Sequence, residues 1–82
     1  MQPFVVSIQK ILKKKLNIAS ESLGPKTDLQ KDLNMVDWEL QYLFNAIEKK
    51  WQVSFQQAET ENLRNIEQLR ELITKQTKRN LN

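Results

Sequence analysis

The spacing of apolar residues over positions 36–51 constrains this chain more than any other feature. Apolar side chains recur there at every third or fourth position, as on one face of an α-helix: Val36, Leu40, Leu43, Phe44, Ile47 and Trp51. Only one glycine and two prolines occur in the 82 residues, so little interrupts such periods elsewhere. The pattern predicts an all-helical chain whose main helix begins near residues 34–37 and ends at about Trp51.

Three further segments share the helical period. A first helix is predicted from about Pro3 to Leu16, with an apolar face that comprises Val5, Ile8, Ile11, Leu12 and Leu16. A short third helix is predicted over Gln57–Glu61, and Leu63 is expected to enter the core after it. Asn65 is a favoured residue type for the cap of a fourth helix, whose apolar face comprises Ile66, Leu69, Leu72 and Ile73.

The end of the chain is mostly polar. From Lys75 onward it carries further basic residues at Lys78 and Arg79. Terminal segments that bury few apolar groups tend to be poorly ordered. We therefore expect a helical domain at 1–74 and a frayed basic tail at 75–82.

A long connection, from about Asn17 to Val36, joins the first two predicted helices. Gly24-Pro25 breaks helical structure within it. The connection nevertheless carries aliphatic residues that would favour packing on the core: Ile18, Leu23, Leu29 and Leu33. We expect a structured loop, in which Thr27-Asp28 begins a short helical turn over Leu29–Leu33.

The segment from Asp32 to Leu40 carries the most specific motif. It reads Asp-Leu-Asn-Met-Val-Asp-Trp-Glu-Leu and resembles the prosthetic-group motif of acyl carrier proteins, Asp-Leu-Gly-x-Asp-Ser-Leu. The resemblance extends from about Ile8 to Ile73 and includes the apolar positions Leu40, Leu43, Ala46, Ile47, Trp51, Val53 and Phe55. It implies an acyl-carrier-like four-helix bundle with a long first loop and a short third helix.

The motif departs from the family at four positions. Asn34 replaces the glycine, Val36 the aspartate and Trp38 the leucine, while Asp37 stands where the family has its serine. That serine hydroxyl forms a phosphodiester with 4'-phosphopantetheine in the family. A carboxylate has no such hydroxyl, and a mixed anhydride with phosphate would hydrolyse. The remaining hydroxyls of Ser7, Ser20, Ser22 and Ser54 do not open the second helix, so we expect neither 4'-phosphopantetheine nor any other cofactor.

Two roles are open for Asp37. In the structural role, Asp37 is the N-cap or a first-turn acid of the second helix, and its carboxylate accepts a hydrogen bond from a free backbone N–H near Glu39 or Leu40. Asn34 is the competing cap, with Asp37 three residues later as in a capping box. In the functional role, the carboxylate replaces part of the charge of the missing phosphate and holds a basic partner residue.

The second helix is also the surface that partner enzymes contact in the family. Trp38 and Tyr42 lie four residues apart and off its apolar stripe, so they are expected to be exposed together, although Trp38 could instead cover Ile18 or Leu29. The predicted partner-binding residues are Asp37, Trp38, Glu39, Gln41, Tyr42, Asn45 and Glu48. Acids exceed bases by only one over positions 37–51, which predicts a partner set different from that of acidic carriers.

The composition argues against an enzyme or a metalloprotein. The chain contains no cysteine and no histidine, so the usual nucleophilic thiol, imidazole base and soft metal ligands are missing. No apolar run approaches the roughly 20 residues of a membrane span, and the first residues are too short for a secretory signal. We expect a cytoplasmic, non-enzymatic domain that binds proteins, such as components of fatty-acid, polyketide or related lipid synthases.

Two alternatives stay open. The first is a functional acyl carrier protein. The second is a nucleic-acid-binding bundle, because the net charge is +3 and Lys10 and Lys13–Lys15 cluster at the end of the first helix. Cations also complement the helix dipole at that end, and no recognised DNA- or RNA-binding motif accompanies them, so we place this alternative last.

Overall fold

The computed structural model describes residues 3–19 and 23–80. These ranges contain four helices, α1 (Pro3–Leu16), α2 (Asp37–Trp51), α3 (Gln57–Glu61) and α4 (Ile66–Asn80). No strand occurs within them, and β-pairing is confined to one bridge between Asp28 and Asn65. The predictions of an all-helical chain, a long first loop and a short third helix are confirmed.

The core lies between the apolar faces of α1, α2 and α4. Each of these helices contributes two of the largest fully buried side chains, and the first loop contributes the seventh: Ile8, Leu12, Leu43, Ile47, Ile66, Leu69 and Leu29. Full burial of an aliphatic side chain of this size contributes about 1.5–3 kcal/mol. The helical stripes read from the sequence are therefore the faces that hold the fold together.

Two positions of the predicted stripes are not in the core. Val36 is exposed, and Leu72 is only half-buried. The prediction for Val36 is wrong because this residue precedes α2 with an extended backbone, at φ −93° and ψ 170°, so the helical period does not set its direction. Met35 is buried instead. Met35 and Leu40 occupy the two positions that a hydrophobic staple joins across a helix start; Met35 belongs to the core cluster and Leu40 packs against it.

Aromatic contacts fix the end of α2. The rings of Phe4 and Trp51 lie 5.2 Å apart, so the start of α1 meets the end of α2 and the two helices run antiparallel. Phe44 and Phe55 meet edge to face at 6.1 Å. Such pairs add about 0.5–1.5 kcal/mol beyond their buried area. The carboxyl end of α2 is thus held from both sides.

The first loop is anchored to the start of α4 by backbone hydrogen bonds. The Leu29 N–H donates to the Arg64 carbonyl at 2.8 Å, and the Glu67 N–H donates to the Pro25 carbonyl at 2.9 Å. Leu23 and Leu29 are buried beneath this contact. The structured loop predicted from its aliphatic residues is confirmed for the part that the structure describes; Ser20–Ser22 lie outside it.

The predicted turn after Asp28 is also present. The Asp28 carboxylate accepts hydrogen bonds from the N–H groups of Gln30 and Lys31, at 2.9 and 2.8 Å, and the Asp32 N–H donates to the Asp28 carbonyl at 2.9 Å. The hydrogen bond from Lys31 is the main reason that the pKa of Asp28 lies below its ordinary value of 3.8. Its contribution to stability is therefore present above that value and is lost as the pH falls through the lowered pKa.

Helix α4 begins as predicted and ends later than predicted. Its start is a full capping box: Asn65 Oδ1 accepts from the Gln68 N–H at 2.9 Å, and Gln68 Oε1 accepts from the Asn65 N–H at 3.3 Å. The frayed tail expected from Lys75 is wrong up to Asn80, because α4 continues to that residue. Gln76 gives a reason, since its side chain exchanges hydrogen bonds with the backbone N–H and C=O of Ser54.

Among residues 3–19 and 23–80, no helix combines the length and the apolar character that a membrane span requires.

Candidate partner-binding site on helix α2

The start of helix α2 is not capped by a side chain of the cap residue. Val36 occupies the cap position, and its carbonyl oxygen accepts from the N–H groups of both Glu39 and Leu40 at 3.0 Å. Glu39 Oε1 in turn accepts from the Val36 N–H at 3.0 Å. Because valine has no polar side chain, only the returning half of a capping box forms here.

Neither Asp37 nor Asn34 is therefore the cap of α2, and Asp37 is instead an acid of its first turn, the other form of the predicted structural role. The N–H groups of Glu39 and Leu40, which were expected to bind the Asp37 carboxylate, donate to the Val36 carbonyl. Asn34 is not the cap either, since it lies two residues earlier with a left-handed φ of 54°. Side-chain length and position explain the difference. The Glu39 side chain is long enough to reach the backbone N–H of Val36, which precedes the helix. Asp37 is itself the first residue of the helix and so cannot occupy the cap position before it.

Asp37 is exposed at the amino end of α2. A negative charge in the first turn complements the partial positive charge of the helix start and contributes about 0.3–1 kcal/mol. Its carboxylate oxygens face solvent at the position where the resemblance places a serine. The helix start is thus complete with a carboxylate at this position.

Apolar side chains are exposed beside Asp37. Trp38 is 65% exposed, Val36 51% and Tyr42 41%, and these are the large apolar side chains that the described part of the chain leaves exposed. The expected joint exposure of Trp38 and Tyr42 is confirmed. The alternative, in which Trp38 is buried over Ile18 or Leu29, does not agree with a ring that is largely exposed.

The other predicted site residues divide into two kinds. Gln41 and Asn45 are exposed and joined by a hydrogen bond from Gln41 Nε2 to Asn45 Oδ1 at 3.1 Å. Glu39 and Glu48 are half-buried, and both carboxylates accept backbone hydrogen bonds, from Val36 and from the Phe55 N–H at 2.8 Å. These two acids thus serve the fold directly. Asp37, Trp38, Gln41, Tyr42 and Asn45 remain free to meet a partner on the exposed face of α2.

A groove between α1 and α2 continues this surface, and the sequence did not reveal it. Its volume is about 630 Å³, and it is lined by Ile11, Lys15, Tyr42, Asn45, Ala46, Lys49 and Lys50. The signal was present as the i, i+3, i+4, i+7 spacing of residues 42, 45, 46 and 49. Spacing within α2 alone does not show that α1 adds Ile11 and Lys15 to the same groove.

The acidic side chains and the serines outside α2 are the other groups to consider for a metal or an attachment site. Within the described residues, no group of three or more histidine, cysteine or acidic side chains could hold a metal ion. Ser7 lies within α1 and Ser54 in the connection after α2, away from the start of α2. Ser20 and Ser22 lie outside the described residues. Asp37 therefore stays the residue on which any comparison with a carrier depends.

Comparison with protein-family models and with curated proteins gives no match. The resemblance to acyl carrier proteins therefore has only the motif at residues 32–40 and the order of the helices behind it.

Proposed function

We propose that this chain is an acyl-carrier-like, non-enzymatic domain that binds partner proteins through α2 and does not carry 4'-phosphopantetheine. Asp37 carries the proposal. It opens α2 at the position of the family's serine, it is exposed, and it has no hydroxyl for the phosphodiester. The order of a long loop, a main second helix and a short third helix supports the acyl-carrier-like fold.

Partner binding is supported by the apolar side chains around Asp37. An exposed Trp and Tyr on one helix face cost solvation free energy that the fold does not recover. Aromatic side chains of this kind dominate the energetics of many protein interfaces. Synthases of fatty acids, polyketides or related lipids, in a cytoplasmic setting, are the partner class that the resemblance implies.

Intact mass measurement tests the proposal. The chain is co-expressed with a broad-specificity phosphopantetheinyl transferase, and an authentic carrier protein in the same cells serves as the positive control. We expect the carrier to gain 4'-phosphopantetheine and this chain to stay unmodified. Modification of the unaltered chain would support the functional-carrier alternative instead.

A repair variant tests whether the register of the motif is right. Asp37→Ser restores the hydroxyl, and Val36→Asp restores the family's acid beside it. Both positions are exposed, and aspartate is a favoured cap residue, so the double variant should fold. We expect the transferase to modify this variant at residue 37. A folded double variant that stays unmodified would mean that the acyl-carrier-like register is wrong.

A further inference from the structure

The groove between α1 and α2 has an apolar floor and a basic rim. Ile11 from α1 and Ala46 from α2 are half-buried along it, and Tyr42 stands at one end. Trp38 lies one helical turn before Tyr42, so the exposed aromatic surface leads directly into the groove. The floor and the aromatic pair thus form one continuous apolar strip across two antiparallel helices.

Lysines flank this strip. Lys15 lies on the α1 side and Lys49 and Lys50 on the α2 side, all exposed, and none of the described residues that line the groove is acidic. Glu48, the nearest acid along α2, is turned away to accept a hydrogen bond from Phe55. The Lys50 ammonium lies 5.7 Å from the ring centre of Trp51, which holds it beside the helix. The residues that line the groove therefore carry a net positive charge.

We infer that this groove binds an acidic amphipathic helix of a partner protein, with apolar side chains on the Trp38–Tyr42–Ala46 strip and carboxylates on Lys15, Lys49 and Lys50. The inference rests on the proposed function and specifies its partner. A concave apolar floor accepts a row of side chains from a helix, whereas a flat lipid surface would meet only its rim. A nucleic-acid backbone would pair with the lysines and leave the floor unused.

The positions of the lysines predict where the partner helix carries negative charge. Carboxylates on both edges of a helix would meet lysines on both walls, and complementary charges select the partner and speed its association. In the inferred complex the lysine-bearing groove is positive and the partner helix is negative. These signs are the reverse of an interface in which an acidic α2 binds a basic partner.

Selection from a peptide display library tests the inference without a known partner. The library encodes helical peptides of random surface sequence, and the intact chain serves as bait. We expect the recovered peptides to combine Asp or Glu with apolar residues at i, i+3 and i+4 spacing. Recovery of basic peptides, of peptides without charge bias or of no peptide would overturn the inference.

Affinity measurement with one recovered peptide, labelled for fluorescence anisotropy, then locates the site. Neutralising the rim with Lys15→Gln, Lys49→Gln and Lys50→Gln together should weaken binding by roughly tenfold or more. The matched control neutralises three exposed lysines outside the groove, Lys14, Lys31 and Lys75, and should change binding by no more than about twofold. Circular dichroism checks that both variants stay folded. Equal losses in the two variants would overturn the site.

Two further outcomes would assign the groove to another occupant and overturn the inference. One is lysine-dependent binding to vesicles of anionic phospholipid with no peptide binding. The other is sedimentation of the chain as a dimer that the rim variant converts to monomers. A separate result judges the proposed function. If a synthase component binds through Trp38 and has the same affinity for the rim variant as for the unaltered chain, the proposed function stands. Only the inference of an acidic partner helix is then overturned.

Discussion

The two tryptophans of α2 mark opposite ends of one helix with opposite environments. Trp51 packs on the core and against Phe4, and the neighbouring Glu48 binds the backbone of Phe55. Trp38 is largely exposed, beside an exposed Val36 that caps the helix without a polar side chain. The carboxyl end of α2 thus contributes its aromatic side chain to the packing of the fold, whereas the amino end leaves apolar side chains exposed to solvent.

Removal of the Trp51 ring should give the largest change in stability. Trp51→Ala deletes a half-buried ring and its contact with Phe4, so we expect a loss of about 2 kcal/mol or more in the free energy of unfolding. Urea denaturation followed by circular dichroism measures it. A loss below about 0.5 kcal/mol, the range of ordinary surface substitutions, would show that this end of the helix is not anchored as described.

Trp38→Ala should act on binding and leave stability almost unchanged. Truncation of a central aromatic anchor typically weakens an interface by about 2 kcal/mol, or some thirtyfold in Kd. The same change should alter the free energy of unfolding by less than about 0.5 kcal/mol, because the ring is exposed. Affinity for a captured synthase component or selected peptide, measured beside urea denaturation, separates the two quantities. Unchanged affinity together with lost stability would reverse the roles of the two ends.

Val36→Asp should give the smallest effect, and a stabilising one. Aspartate at this position supplies the missing half of the capping box, next to the Glu39 carboxylate that already returns to the backbone. We expect a gain of about 0.5–1 kcal/mol by urea denaturation, with Val36→Ala as the control that removes the apolar side chain and adds no cap. Equal stability of the two variants would mean that the α2 start is already satisfied.

The helices were predictable because their apolar periods coincide with the core. Ile8, Leu12, Leu43 and Ile47 could be placed from spacing alone, and Asn65 was placed correctly because its cap chemistry is local. Val36 failed because the period continued one residue past the helix start, where an extended backbone turns the side chain outward. Apolar spacing is a poor guide at such boundaries, because the backbone changes from extended to helical between neighbouring residues while the spacing continues across them.

The site was only partly predictable for a related reason. The exposure of Trp38 follows from its place off the apolar stripe of α2. The role of Glu39 depended on its reach back to Val36, and that of Gln76 on a contact with Ser54, which is 22 residues away in the chain. The groove required knowing that Lys15 of α1 and Lys49 and Lys50 of α2 line the same space. The spacing of residues within one helix cannot show which residues of two helices line the same groove.

We propose that a domain with this second helix functions without a covalent arm. Intact mass spectrometry of the chain, purified from the cells that produce it naturally, is the decisive experiment. We expect the mass of the bare polypeptide. A mass that includes 4'-phosphopantetheine, at any residue, would contradict the claim.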